Sequence, residues 1–262
     1  MNSIKEIKVK GILLDIEGVL LEEDTVIPGA VECLDKITSK NEIKLRFLTN
    51  TTTKPLTEIF NNLKSHGFSL KPNNIFSPVI AARNFLEQKK IAKICLISNP
   101  ALKQDFSDFI FDDNRPKAVI LGDIYKNFDW EKLNNAFQLI KENNAVFIAL
   151  HKNKYCLRGN KISLDLGPFV KALEYATDKE AVLMGKPDKL FFDMAIKNMN
   201  LSSKNVVMVG DDIHSDIAGA NKNNIFSIQV KTGKYQKADK ESRFIQPNMR
   251  LDSIADLRYY ID

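Results

Sequence analysis

Apolar residues in this chain follow two rhythms. In the first they form short unbroken runs: Gly11-Ile-Leu-Leu-Asp15, Ile43-Lys-Leu-Arg-Phe-Leu48, Ile94-Cys-Leu-Ile97 and Ala118-Val-Ile-Leu-Gly122. Ala145-Val-Phe-Ile-Ala-Leu150, Ala181-Val-Leu-Met184, Val206-Val-Met-Val209 and Phe226-Ser-Ile-Gln-Val230 continue the series. Runs with little polar alternation predict strands buried on both faces, the kind found inside a parallel sheet. In the second rhythm apolar residues recur three or four positions apart, which predicts helices with one buried face. Examples are Ala30, Val31, Leu34 and Ile37; Leu56, Ile59, Phe60 and Leu63; Leu133, Ala136, Phe137 and Ile140; and Leu190, Phe191, Met194 and Ala195. Further helices are predicted through Ala81, Ala82, Phe85 and Leu86, from Phe169 to Tyr175, and at Ile217-Ala-Gly-Ala220. Pro28-Gly29, Pro55, Gly67 and the capping residue Asp188 punctuate the series. Trp130 and the phenylalanine-rich helix faces are assigned to the core.

Strand then helix, repeated, predicts an α/β fold. The rhythm restarts after Ile75-Phe76, so residues 81–179 read as a second α/β unit inserted into a first made of 1–80 and 180–262. Leu21 to Ile27 reads as a small flap, Asp105 to Arg115 and His151 to Tyr155 as polar loops, and Asp239 to Pro247 as a surface loop.

The 262 residues suffice for this without disulfides or a structural metal. No apolar run reaches the roughly 18 residues of a membrane span, and Met1-Asn-Ser-Ile-Lys-Glu-Ile-Lys lacks the apolar core of a leader, so a cytoplasmic protein without a membrane partner is expected. Cys33, Cys95 and Cys156 stand far apart, which argues against a thiol nucleophile or a zinc cluster. The net charge is +5, but lysines are interspersed with acids along the chain, a pattern unlike a nucleic-acid-binding stripe.

The candidate chemistry sits where the apolar runs end. Asp15 and Glu17 follow the first, Thr49 and Asn50 the second, Lys186 the short run at 181–184, and Asp211, Asp212 and Asp216 the run at 206–209. In open α/β sheets the carboxyl ends of the strands are where ligands bind. If these strands lie side by side, the four groups converge. Crowded carboxylates need a cation, and an oxygen-rich set without a His or Cys cluster suits Mg²⁺. A lysine and a threonine hydroxyl suit a phosphoryl group. An aspartate in such a site can act as a nucleophile, through an aspartyl-phosphate.

Asp15-Ile-Glu-Gly-Val, Leu48-Thr49-Asn50, Gly185-Lys186-Pro187 and Gly210-Asp211-Asp212 with Asp216 resemble, in order, the four motifs of the haloacid-dehalogenase-like hydrolases. The insertion between the second and third resembles the type-2 cap of the NagD-type, class IIA, members. The resemblance implies a Rossmann-like parallel-sheet core with an inserted α/β type-2 cap domain, acting as a Mg²⁺-dependent phosphatase on a small phosphorylated compound. It implies that Asp15 is the nucleophile, that Thr49 and the Asn50 backbone bind phosphate, and that Lys186 neutralises charge. Asp15, Asp211 and the Glu17 main-chain carbonyl would hold Mg²⁺, with Asp212 and Asp216 orienting groups around it. Tyr155, with His151 and Lys154, would contact substrate from the cap. Glu17 stands where such phosphatases usually carry a second aspartate as general acid and base. Its extra methylene keeps alive a rival reading, a weakly active or inactive homologue acting as a binding protein. A phosphoacceptor signalling module is disfavoured by the long insertion, and a dinucleotide-binding fold by the lack of Gly-x-Gly-x-x-Gly after the first strand. The substrate, and whether two copies form a homodimer, stay open at this point.

Overall fold

In the computed structural model, described for residues 4, 7–39, 43–159, 161–238 and 244–261, the chain divides into two compact units. One comprises Met1–Thr49, Thr57–Phe76 and Lys186–Asp262; the other comprises Asn50–Leu56 and Ser77–Gly185.

The strands in chain order are β1 (Gly11–Asp15), β2 (Leu21–Glu22), β3 (Thr25–Val26), β4 (Lys44–Leu48), β5 (Ile75–Phe76), β6 (Lys93–Ile97), β7 (Ile110–Phe111) and β8 (Ala118–Leu121). They continue as β9 (Val146–Ala149), β10 (Tyr155–Arg158), β11 (Lys161–Leu164), β12 (Val182–Leu183), β13 (Val206–Gly210), β14 (Phe226–Val230) and β15 (Met249–Leu251). The α-helices are α1 (Ala30–Ser39), α2 (Leu56–Ser65), α3 (Pro78–Gln88), α4 (Trp130–Lys141), α5 (Leu166–Thr177), α6 (Lys189–Asn198) and α7 (Ala218–Lys222).

The first unit is built on a six-stranded sheet in the order β15-β14-β13-β1-β4-β5, parallel throughout. Every residue of β1, β13 and β14 is buried, as their unbroken apolar runs require. Gly11 pairs with Val206 on one side and Lys44 on the other, so β1 lies between the strand that follows it and the strand that returns much later. A strand at which connections leave in both directions marks a switch point, where the loops part and leave a crevice. Helix α6 starts on the Asp188 carboxylate, which accepts from the Leu190 N–H, and buries Phe191, Phe192, Met194, Ala195 and Ile196. The Phe191 ring meets Phe76 at 5.1 Å between centroids, and Gly219 in α7 leaves room for the Phe192 ring. β2 and β3 form the small antiparallel flap.

The second unit holds a parallel five-stranded sheet, β12-β9-β8-β6-β7. Helices α4 and α5 contribute Ala136, Leu139, Ile140, Leu166, Val170 and Leu173 to a core with Val119, Leu121 and Phe147, and Phe128 stacks on Phe169 at 3.8 Å. Strands β10 and β11 form an antiparallel hairpin.

Four local expectations are corrected. Val182–Leu183 pairs with β9, so this short strand lies in the second unit's sheet and not beside β1. Trp130 is 74% exposed: it occupies the first position of α4, one turn ahead of the residues that face the sheet. His151, read as part of a polar loop, is buried directly after β9, with Nε2 3.7 Å from the Asp165 carboxylate that caps α5. The short helix expected at Ile217 begins with a wider π-helical turn over Ile213–Ile217. Part of the loop assigned to Asp239 to Pro247, residues 239–243, lies outside the described residues.

Candidate active site

Strand β1 ends at Asp15, which is buried although it is a carboxylate. Its Oδ1 accepts from the Ile16 N–H at 2.8 Å and from the Lys186 ammonium at 2.7 Å. The same ammonium lies 2.7 Å from Asp216 Oδ1, so one buried lysine bridges two buried acids. Lys186 therefore reaches the end of the first sheet, although β12, just before it, belongs to the second.

Strand β13 delivers the other acids. Asp211 and Asp216 are both buried, and one carboxylate oxygen from each of Asp15, Asp211 and Asp216 lies within 4.8 Å of the other two. The π-helical turn aims Asp216 inward, and Gly210 permits its approach, since a Cβ there would strike the Asp216 side chain. Asp216 Oδ2 accepts from the Asp212 N–H at 3.2 Å. Asp212 itself faces away from the cluster: Oδ1 caps the turn by accepting from the His214 and Ser215 N–H groups, and Oδ2 lies 3.2 Å from the Lys234 ammonium.

Three buried carboxylates gathered beside one buried ammonium leave the cluster short of positive charge. Burial pushes Asp211 up to about 7, with the Asp15 charge adding to the effect. Burial, then Asp15, also pushes Asp216 well above the usual carboxylate range. Burial alone would lower Lys186, but Asp15 and Asp216 outweigh it and hold the ammonium charged. Asp211 Oδ1 is buried without a hydrogen-bond partner among the described residues. A bare buried carboxylate oxygen in a cluster that is short of positive charge fits a hard divalent cation, and the all-oxygen donor set suits Mg²⁺.

The remaining predicted residues are less tightly gathered. Thr49 is buried just beyond β4, and its N–H donates to the Phe76 carbonyl at 3.3 Å. Asn50 opens the segment assigned to the second unit. The exposed Glu17 turns its carboxylate to the flap, where Oε1 accepts from the Glu23 N–H at 2.8 Å. Burial of that carboxyl, together with the Asp15 charge, outweighs this bond and raises Glu17 above its usual value. Tyr155 opens the hairpin of the second unit with 63% of its surface exposed. His214 is exposed at the start of the π-helical turn. Burial pushes the Cys33 thiol up to about 11 and Cys95 to about 12, so both stay protonated at neutral pH.

One participant was not singled out by the spacing of acids. The backbone N–H of Lys234 donates to Asp211 Oδ2 at 2.6 Å, beside its side-chain contact with Asp212. Its signal was position: Thr232-Gly233-Lys234 follows β14, just beyond the same end of the sheet as Asp15 and Asp211.

Comparison with known proteins agrees with this geometry. A haloacid dehalogenase-like hydrolase model matches residues 12–111, and a HAD-hydrolase-like model matches residues 183–257. The chain is 38% identical over 245 residues to mouse haloacid dehalogenase-like hydrolase domain-containing protein 2, covering 94% of this chain and 93% of that one. It is 32% identical over 253 residues to human phospholysine phosphohistidine inorganic pyrophosphate phosphatase, covering 95% and 92%. Among solved structures, NagD from E. coli K-12 shares the fold at a TM-score of 0.85 and 24% identity, over 95% of this chain and 98% of that one. By full-length similarity to these relatives, the chain belongs to the haloacid dehalogenase-like hydrolases, with a fold of the NagD type.

Proposed function

We propose that this protein is a Mg²⁺-dependent phosphatase that cleaves a small phosphorylated compound through an aspartyl-phosphate on Asp15. The observation that carries the reading is the buried Lys186 ammonium 2.7 Å from both Asp15 and Asp216, beside an Asp211 oxygen without a hydrogen-bond partner among the described residues. The phosphatase named among the relatives adds support.

In this reading Lys186 and the Ile16 N–H hold Asp15 by Oδ1, which fixes the carboxylate plane and leaves Oδ2 for attack on phosphorus. The new Oδ2–P bond forms as the bond to the leaving group breaks, and the leaving atom takes the electron pair. Water then attacks phosphorus as the Oδ2–P bond breaks and its electron pair returns to the Asp15 carboxylate; the water's proton passes to solvent, and inorganic phosphate is released. The Thr49 hydroxyl and the Asn50 backbone bind the phosphoryl oxygens, and Lys186 balances their charge. Asp15, Asp211 and the Glu17 carbonyl would hold Mg²⁺, which when bound supplies electrostatic stabilisation of the phosphoryl group. Asp216 orients Lys186, and Asp212 orients the turn. The second unit serves as the type-2 cap, whose hairpin residue Tyr155 contacts the leaving group.

A well-placed general acid contributes about 10²–10⁴-fold, most for a poor leaving group. With Glu17 bound to the flap amide, the reading favours substrates whose leaving groups depart easily, such as pyrophosphate, phosphoramidates and aryl phosphates. The test is a turnover screen across these substrates, sugar phosphates and nucleotides, with and without Mg²⁺. Wild type should turn over at least one in a Mg²⁺-dependent way, and Asp15→Asn should lose about 10³-fold or more while staying folded. Undiminished turnover by Asp15→Asn, or turnover indifferent to chelation, would overturn the proposal.

A further inference from the structure

Beyond the end of β14 the chain turns back through Thr232, Gly233 and Lys234, and three contacts tie this turn to the acidic cluster. The Lys234 N–H donates to Asp211 Oδ2 at 2.6 Å. The Thr232 hydroxyl donates to the carbonyl of Gly18, three residues after Asp15. Gly233 and Gly18 pack backbone to backbone: a Cβ on Gly233 would lie 2.5 Å from Gly18 Cα and collide with Asp211 Oδ2. A Cβ on Gly18 would collide with the same oxygen. Gly18 and Gly233 hold positive φ, 79° and 59° respectively, a region that side chains disfavour.

The effect on Asp211 is asymmetric. Oδ2 is held by the turn, whereas Oδ1 is buried and without a hydrogen-bond partner among the described residues, in a residue only 1% exposed. Leaving a buried acceptor unmade is costly, so the arrangement makes sense if a ligand takes that oxygen. The Asp211 carboxylate fixes the turn's position, but the turn also fixes the carboxylate. We infer that the Thr232–Lys234 turn is a positioning element for the cation site, clamping Asp211 by Oδ2 so that Oδ1 is presented to Mg²⁺. The inference rests on the reading of Asp211 as a Mg²⁺ ligand. It adds that cation affinity depends on how the turn is locked to Gly18, a residue 214 positions away in sequence.

The experiment is calorimetric titration of the metal-free full-length protein with MgCl₂, with the metal-free melting temperature of each variant measured alongside. Thr232→Val removes the hydroxyl donor and keeps the shape; Thr232→Ser restores the donor. Loss of groups that orient metal ligands typically costs about 10–100-fold in metal affinity, and that is the weakening expected for Thr232→Val. Thr232→Ser should keep wild-type affinity. Gly233→Ala should weaken binding at least as much as Thr232→Val, and if it fails to fold Thr232→Val still decides. A purely structural role for the hydroxyl would lower the melting temperature of Thr232→Val and leave the Kd for Mg²⁺ unchanged, and that result overturns the inference. Asp211→Asn separates the two levels. If wild type binds no Mg²⁺, or Asp211→Asn binds it equally well, the reading of the cation site fails and the inference falls with it.

Discussion

The two units use the same architecture to opposite electrostatic ends. Each has a parallel sheet, and each buries acids. In the second unit two of the buried acids, Glu174 and Asp123, are matched by cations. Glu174 is buried against the Lys152 ammonium at 2.6 Å and the Lys171 ammonium at 2.8 Å, and it also accepts from the Ala181 N–H. Burial alone would raise Glu174, but these partners outweigh it and hold its carboxyl below the usual value. Asp123 is likewise paired with Arg158 at 2.7 Å, and that guanidinium stacks on Tyr125. In the first unit one buried ammonium lies between Asp15 and Asp216 beside a third acid, Asp211, and Asp211 and Asp216 are driven the other way. Matched charges hold a fold together, whereas an unmatched cluster costs stability and persists where function needs it.

The largest effect is expected from removing the buried cation of the first unit's cluster. Lys186→Met removes the ammonium held between the buried Asp15 and Asp216 carboxylates, and removing one partner of a buried ion pair typically costs about 3–5 kcal/mol. Urea unfolding of the metal-free protein should show a loss of that order, reduced when Mg²⁺ is added. A loss no larger than that of a surface lysine variant would mean that the cluster is not short of positive charge.

In the second unit, Glu174→Gln should cost about 1–3 kcal/mol near neutral pH, since hydrogen bonds to a charged group are lost. The sign with pH follows from the lowered carboxyl. The contribution of Glu174 is fully present above the ordinary value of 4.5 and is lost as pH falls through the lower folded value. The stability gap between wild type and Glu174→Gln should therefore close on acidification. A gap that widened would contradict the assignment.

Asp211→Asn should have the opposite sign. Removing one charge from the unmatched cluster should stabilise the metal-free protein by about 1–2 kcal/mol, read as a higher melting temperature, while abolishing turnover. Destabilisation on that scale would show that Asp211 is held mainly for structure.

What the sequence revealed and what it hid divide along the same physical line. Asp15 and Asp211 were legible because each ends an apolar run, and a run buried on both faces fixes which end of the sheet its acid reaches. Trp130 was misread because helical spacing reports a face and not how far along the helix burial extends. His151 does lie in a loop, but its burial beside Asp165, across the hairpin, leaves no mark in the pattern. The strand before Lys186 spans only two residues, too short for its pattern to say which sheet it joins. The clamp on Asp211 was hidden for a related reason. It is made by a backbone N–H and by two glycines that are far apart in sequence, and neither leaves a periodic trace.

If phosphate passes through Asp15, chemical trapping will catch it there. Wild-type protein turning over a phosphorylated substrate with Mg²⁺ is quenched in acid and digested, and the peptides are read by mass spectrometry. The account predicts phosphate on the peptide carrying Asp15, at that residue, and none in Asp15→Asn. Phosphate on another residue, or turnover that continues undiminished in Asp15→Asn, would contradict it.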